Sequence, residues 1–171
     1  MRDFAQKWDP VPDWPEARLS GEGWTARIAG GLSQLLVSGA LERAWGSLKV
    51  VHEVGLWGLA SPDLPYRVRI SRDRALVVSP SPLELQPGWQ ADGWAATRAD
   101  NARLILEIEG PGLPELIAEG TSADLASGSP SASILFAGLH GVLLYRTAPD
   151  RARLHVEAPS MPYVWHWLET R

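Results

Sequence analysis

Three histidines, His140, His155 and His166, are the side chains best suited by type to hold a metal ion or move a proton. A metal site wants three or four converging ligands, commonly as histidines four apart or in close pairs. These three fall on different expected elements, have no His-x-His spacing and no cysteine beside them, so no metal site is expected. His155 lies in the alternating run Leu154-His155-Val156-Glu157, which puts it on the polar face of a strand. His52-Glu53 has the composition of an acid–base pair, but neighbours in a strand point to opposite faces and would not cooperate. Ser127-Gly128-Ser129 lacks the Gly-x-Ser-x-Gly elbow of a serine hydrolase. Gly110-Pro111-Gly112 precedes a helical stretch as a phosphate cradle does, yet lacks the further glycines and the Lys-Ser/Thr ending. It reads as a strand stop and a helix start. No catalytic, cofactor-binding or metal-binding residue is assigned.

Composition narrows the classes further. The 171 residues are 45% hydrophobic and 21% charged, enough to bury a core as one ordinary domain. Sixteen basic against twenty acidic residues give a net charge of -4, which argues against a nucleic-acid partner. The absence of cysteine rules out disulfides, thiolate zinc sites, iron–sulfur ligation and a cysteine nucleophile. No secretory signal is visible, and no apolar run approaches the ~20 residues that span a bilayer, so a cytoplasmic protein without a membrane partner is expected.

The elements that would position any site follow from pattern. Residues 1–22 hold Pro10, Pro12 and Pro15 with Trp8 and Trp14, and read as an extended arm. Trp24–Ile28 reads as a strand, and Gly31–Gly39 fits either a helix or a strand. Ala40–Trp45 is helical, and Val50–Ala60 is β-like. Tyr66–Ile70 alternates apolar and basic residues and pairs with Ala75–Val78 as a hairpin. The proline-rich Ser79–Pro87 loop separates two halves, about 23–80 and 88–171. In the second half, Gly93–Arg98 and Arg103–Glu109 read as a hairpin turned at Asp100-Asn101. A short helix follows around Leu113–Ile117, then strands at Ser133–Ala137, Val142–Arg146 and Arg151–Val156, then a helix capped by Ser160. The expected architecture is α+β: one domain over 23–171 built as a duplicated strand-strand-helix-strand-strand-strand-helix unit, with antiparallel sheets.

An ordered set of segments carries a resemblance. These are Tyr66-Arg67-Val68-Arg69-Ile70 with Leu76-Val77-Val78, then Leu106-Glu107-Ile108-Glu109-Gly110-Pro111-Gly112, and Gly120 with Asp124-Leu125. Ile134-Leu135-Phe136-Ala137-Gly138, Val142-Leu143-Leu144-Tyr145-Arg146, Leu154-His155-Val156-Glu157 and Tyr163-Val164-Trp165-His166-Trp167-Leu168 complete it. Over roughly Tyr66–Glu169 the chain resembles the gamma subunit of heterotetrameric sarcosine oxidase, of the folate-binding-domain fold shared with the glycine-cleavage T-protein. The resemblance implies an accessory, non-catalytic chain that stabilises larger alpha, beta and delta subunits. On those partners it implies FAD, FMN, NAD and tetrahydrofolate, serving oxidative demethylation of sarcosine or a related N-methyl amine. Arg72-Asp73-Arg74-Ala75 departs from the Pro-Asp-Glu-Trp-type turn usual in that family. The alternative is a free-standing folate-binding, aminomethyltransferase-like domain, for which Asp100, Glu109 and Asp124 are the carboxylates available to pair with the amino-pyrimidine edge of a pterin in an apolar slot.

An accessory chain works through its contacts, and tryptophan is enriched at interface hot spots. Nine tryptophans are spread along the chain. On the last helix, Tyr163, Val164, Trp167 and Leu168 fall within an arc of about 140°, with Trp165 and His166 outside it. Trp165 is therefore expected to face a partner, and Trp8 and Trp14 to pin the arm onto one.

Overall fold

The computed structural model describes residues 11–171, and the expected contact through Trp8 lies outside the described residues. The chain opens with a hairpin of β1 (Arg18–Gly21) and β2 (Trp24–Ile28). Its turn is Glu22-Gly23, where Gly23 takes a φ of +73° that favours glycine. Next come β3 (Ser33–Gly39), α1 (Leu41–Leu48), β4 (His52–Val54), β5 (Tyr66–Ser71) and β6 (Arg74–Ser79). A second hairpin, β7 (Gly88–Gln90) and β8 (Trp94–Arg98), leads into β9 (Arg103–Glu109) and α2 (Leu113–Gly120). The chain ends with β10 (Ser133–Phe136), β11 (Leu139–Ala148), β12 (Arg151–Glu157) and α3 (Met161–Glu169).

Two six-stranded sheets form, and their layouts correspond. The first has the order β10-β11-β12-β9-β2-β1 and the second β4-β5-β6-β3-β8-β7. In each, a strand–helix–three-strand unit supplies four neighbouring strands. The last two places are filled by the hairpin that precedes the other unit. The two units are thereby interleaved: β2 of the early hairpin pairs with β9, and β8 of the late hairpin pairs with β3. The correspondence breaks at one edge, where β4 runs parallel to β5 but β10 runs antiparallel to β11.

Period-two alternation sorts the core into three layers of side chains. Leu106, Ile108, Leu144, Ala152 and Leu154 face α2 and α3, joined by Leu113, Ile117, Val164 and Leu168. Val37, Ala75, Val77 and Ala96 of the second sheet face Leu41, Ala44 and Trp45 of α1. Between the sheets lie Tyr66, Val68, Leu76 and Val78 against Leu143 and Tyr145. The order of layers is helices, sheet, sheet, helix. Both faces of the central strands are covered, which is why β6 is buried from Ala75 to Ser79.

Three expectations need correction, and one open segment resolves. Residues 18–21 are a strand of the first sheet, not part of an extended arm, because the prolines stop at Pro15 and Arg18 onward is free to pair. The ambiguous Gly31–Gly39 segment resolves as strand β3. β8 and β9 do not form a hairpin with each other. β8 pairs with β3 and β9 with β2 and β12, so the residues between them cross from one sheet to the other. That crossing is held to the start of β3, where Ala99 donates its N–H to the Gln34 carbonyl (2.8 Å) and Asp100 accepts from the Gln34 N–H and the Ser33 hydroxyl. Finally, Ser160 does not cap α3 with its side chain. A single 3₁₀ turn over Ala158–Ser160 runs directly into the helix, leaving Ser160 in helical geometry rather than the extended one a cap needs.

Candidate functional site

A row of polar residues crosses five strands on the inner face of the first sheet. The pairing registers set Arg18 opposite Arg27, Arg27 opposite Glu107, Glu107 opposite Arg153, and Arg153 opposite Tyr145. Alternation puts them there: their neighbours Leu106, Ile108, Ala152, Leu154 and Leu144 take the opposite face under the helices. Glu107 is buried and holds two guanidiniums, ion-paired to Arg27 through one oxygen and to Arg153 Nε through the other (2.9 Å).

From Arg153 a hydrogen-bond relay passes between the sheets. Arg153 Nη1 donates to the Tyr66 hydroxyl (2.9 Å), and the Tyr66 and Tyr145 hydroxyls are 2.8 Å apart. Tyr145 meets His155 Nε2 at 2.8 Å, His155 Nδ1 meets Gln34 Oε1 at 2.8 Å, and Gln34 Nε2 donates to the Arg103 carbonyl at 2.8 Å. The two ends fix every proton between them. A guanidinium only donates and a backbone carbonyl only accepts, so Tyr66 donates to Tyr145, Tyr145 to Nε2, and Nδ1–H to Gln34. His155 is thus the neutral Nδ1–H tautomer. Burial, then the charges of Arg103 and Arg153, push its pKa down to about 3. Burial, reinforced by the adjacent Tyr66 hydroxyl, holds the Tyr145 phenol well above its ordinary range. Such a closed relay locks two sheets in register; no member faces solvent with a free lone pair or an activated proton.

Beside this row lies a groove of about 380 Å³ at the edge where the two sheets meet. Trp14 and Pro15 form one wall, Arg18 and Arg27 another, with Gly30-Gly31, Gln34, Asp100 and Arg103 around the floor. Of the three carboxylates suited to a pterin, only Asp100 reaches this groove, and it already accepts the Ser33 and Gln34 bonds. Glu109 pairs with Arg151 (2.6 Å) at the sheet edge. Asp124 accepts from the Ser127 hydroxyl and from the Ser127 and Ala126 N–H groups; the Ser127 bonds lead in drawing its pKa below the ordinary carboxylate value.

The histidines do not converge. His155 is fully buried in the relay, on the face expected to be polar but roofed by the second sheet. His140 is exposed, and His166 pairs with Glu169 on the surface of α3. His52 is bonded to the Leu59 carbonyl, while Glu53 turns to Arg67 and Arg69. Among the described residues no group of histidines and carboxylates could hold a metal ion.

The expected outward face of Trp165 is corrected. It is only 5% exposed, packed edge-on against Trp14 with ring centroids 5.6 Å apart. α3 begins at Met161, and counting from there the stripe i, i+3, i+4, i+7 selects Met161, Val164, Trp165 and Leu168. Tyr163, assigned inward by the shorter window, is the outward ring at 52% exposure, with its hydroxyl donating to the Ala137 carbonyl. Among the described residues the most exposed indole is Trp89, 72% open on the edge strand β7. Composition marked it only as one tryptophan of nine; its three-residue edge strand gives no periodic signal to separate inside from outside.

No protein-family model matches the chain, and no curated protein matches it. Among solved structures the fold is similar to a chain of the heterotetrameric sarcosine oxidase from Corynebacterium sp. U-96 in complex with pyrrole 2-carboxylate. The identity is 19% and the TM-score 0.68, over 91% of this chain and 87% of that one. At that identity the likeness establishes the fold: an α+β arrangement of two sheets and few helices, none among the described residues long and apolar enough to cross a membrane.

Proposed function

We propose that the chain is an accessory, non-catalytic, gamma-like subunit of a heterotetrameric sarcosine-oxidase-type complex. One observation carries the reading: a fold likeness spanning nearly the full length of both chains, to one chain of such an assembly. The segments that resemble the gamma subunit lie on β5, β6, β9, β11, β12 and α3, all of which bury core residues, with further stretches at α2 and β10. The shared layout of the two sheets is read as the duplication expected for the folate-binding-domain fold. The polar groups best placed for chemistry are consumed in the closed relay, which suits a chain whose work is shape and contact.

On this reading the alpha, beta and delta partners carry FAD, FMN, NAD and tetrahydrofolate and demethylate sarcosine or a related N-methyl amine. The partner contact is proposed to run through Trp89 in place of the buried Trp165. A bare indole on a short edge strand is an unfavourable surface for a lone chain and a good anchor for an interface. Affinity purification of the chain from its native cell, followed by identification of co-purifying chains, tests the reading. Large flavoprotein partners are expected. A lone chain that binds tetrahydrofolate would overturn it in favour of a free-standing folate-binding domain.

A further inference from the structure

We infer that Arg18 and Arg27, with Trp14, form a binding site for a small aromatic carboxylate. Two arginines sit directly opposite each other on β1 and β2. Like charges in that position destabilise a strand pair unless an anion lies between them. The anion at hand, Glu107, does not meet the need. Its two oxygens are taken by Arg27 and Arg153, so the row holds three guanidiniums against one carboxylate, and Arg18 at its outer end is left without a share of that carboxylate. Among the described residues no carboxylate lies within ion-pairing distance of Arg18. The nearby Glu109 is paired with Arg151.

The donors are unspent. Arg18 lines the groove, donates through Nη1 to the Pro15 and Ala17 carbonyls (3.0 and 2.7 Å), and leaves Nε and Nη2 unengaged among the described residues. Arg27 commits Nη2 to Glu107 and leaves Nε and Nη1 unengaged among the described residues. Guanidinium edges of this kind match a carboxylate two bonds at a time. Trp14 supplies the apolar wall of the same groove, held upright by its edge contact with Trp165. A concavity of about 380 Å³ at the meeting of two sheets is in the range of small-ligand sites. The site binds and performs no bond-breaking, so it goes beyond the accessory reading without contradicting it.

The probe is benzoate, titrated calorimetrically at low ionic strength into the full chain together with any chain that co-purifies; inorganic phosphate is the second arm. Saturable one-to-one benzoate binding is expected, weakened at least about tenfold by Arg18→Gln or Arg27→Gln. Trp14→Leu is expected to weaken benzoate while leaving acetate unchanged. Arg27→Gln disturbs a buried ion pair and risks the fold; Arg18→Gln breaks only local carbonyl contacts and carries the test alone. Absence of saturable benzoate binding, or binding unaltered in Arg18→Gln, overturns the site. So does phosphate binding as tightly as benzoate with no effect of Trp14→Leu. Loss of a co-purifying chain from Arg18→Gln, with no benzoate binding by the wild type, assigns the pair to a protein contact. That outcome overturns the ligand site and leaves the accessory reading standing, whereas a partnerless chain that binds benzoate does the reverse.

Discussion

The Tyr145 hydroxyl donates to His155 Nε2 across 2.8 Å of closed protein interior, and both side chains are inaccessible to solvent. This contact joins neighbouring strands of one sheet, and each partner then reaches to the other sheet, Tyr145 to Tyr66 and His155 to Gln34. Protonating His155 would turn Nε2 from acceptor to donor. The Tyr145 proton would then have to point back at Tyr66, which already receives from Arg153 and would be left with a hydrogen and no acceptor.

Acid should therefore weaken the fold through His155. Its folded pKa, about 3, lies below the unfolded value of 6.5, so below pH 6.5 the unfolded chain binds the extra proton. The contribution is fully present above pH 6.5 and is lost as pH falls toward 3, by about 1.4 kcal/mol per pH unit in mid-range. Carboxylates titrate in the same window, so the measured quantity is a difference: urea unfolding of wild type against His155→Asn from pH 7 to 4. The wild type should lose stability more steeply, by about 2 kcal/mol over the lower half of that range. Parallel profiles would show that the imidazole is not held neutral.

Deleting the middle hydroxyl tests the relay by chemistry rather than by pH. Tyr145→Phe keeps the ring but strands His155 Nε2 and the Tyr66 proton. The expected cost is about 1–3 kcal/mol, the usual penalty for buried groups left unpaired. Tyr163→Phe removes an exposed hydroxyl bonded to the Ala137 carbonyl and should change stability by no more than about 0.5 kcal/mol. Equal effects for the two would argue that the interior bonds contribute nothing particular.

Much of the fold was legible because alternation and helical stripes are strong over long segments. β5 with β6, and β10 to β12, read directly from their apolar period, as did α1 and α2. What alternation does not reveal is the partner of each strand. Arg98 and Arg103 flank a short polar turn that looks the same whether the chain folds back or steps to another sheet. The candidate site was less legible for a related reason. His155 and Glu107 stand at polar positions of their strands, and only the arrival of a second sheet over that face turns polar into buried. Arg18 and Arg27 meet through hairpin register, which depends on the two-residue turn at Glu22-Gly23 rather than on any motif in either strand. Trp165 was misplaced because the stripe on the last helix was counted from Tyr163 and left out Met161.

The two tryptophans should separate folding from assembly. Trp165→Ala empties a buried site and removes the edge contact with Trp14, so it should destabilise the chain itself by about 3–5 kcal/mol. Trp89→Ala should leave chain stability within about 0.5 kcal/mol but weaken association with the proposed partners by about 2 kcal/mol or more. Chain unfolding and quantitative pull-down, measured on both variants, distinguish the outcomes. A Trp89→Ala chain that assembles like the wild type would remove the edge strand from the interface.

Two glycines should respond in opposite senses to the same substitution. A methyl group on Gly55 would lie 2.0 Å from the Ser129 carbonyl oxygen and 2.7 Å from that of Pro130. Both obstacles are backbone and belong to the loop after α2, which the Leu56 N–H grips through the Ser129 carbonyl at 2.8 Å. The only relief is to move that loop off residues 55–58, so Gly55→Ala should cost about 3 kcal/mol, at the upper end for overpacking. Gly46 lies inside α1, exposed, with no atom within 4 Å of an added methyl group and an ordinary negative φ. Gly46→Ala should therefore gain about 1 kcal/mol, by narrowing the unfolded ensemble and favouring the helix. Thermal unfolding of the two variants, with amide exchange of Leu56, decides the matter. Faster Leu56 exchange in Gly55→Ala alone is expected, and unchanged protection there would mean that the two loops are not clamped together by this approach.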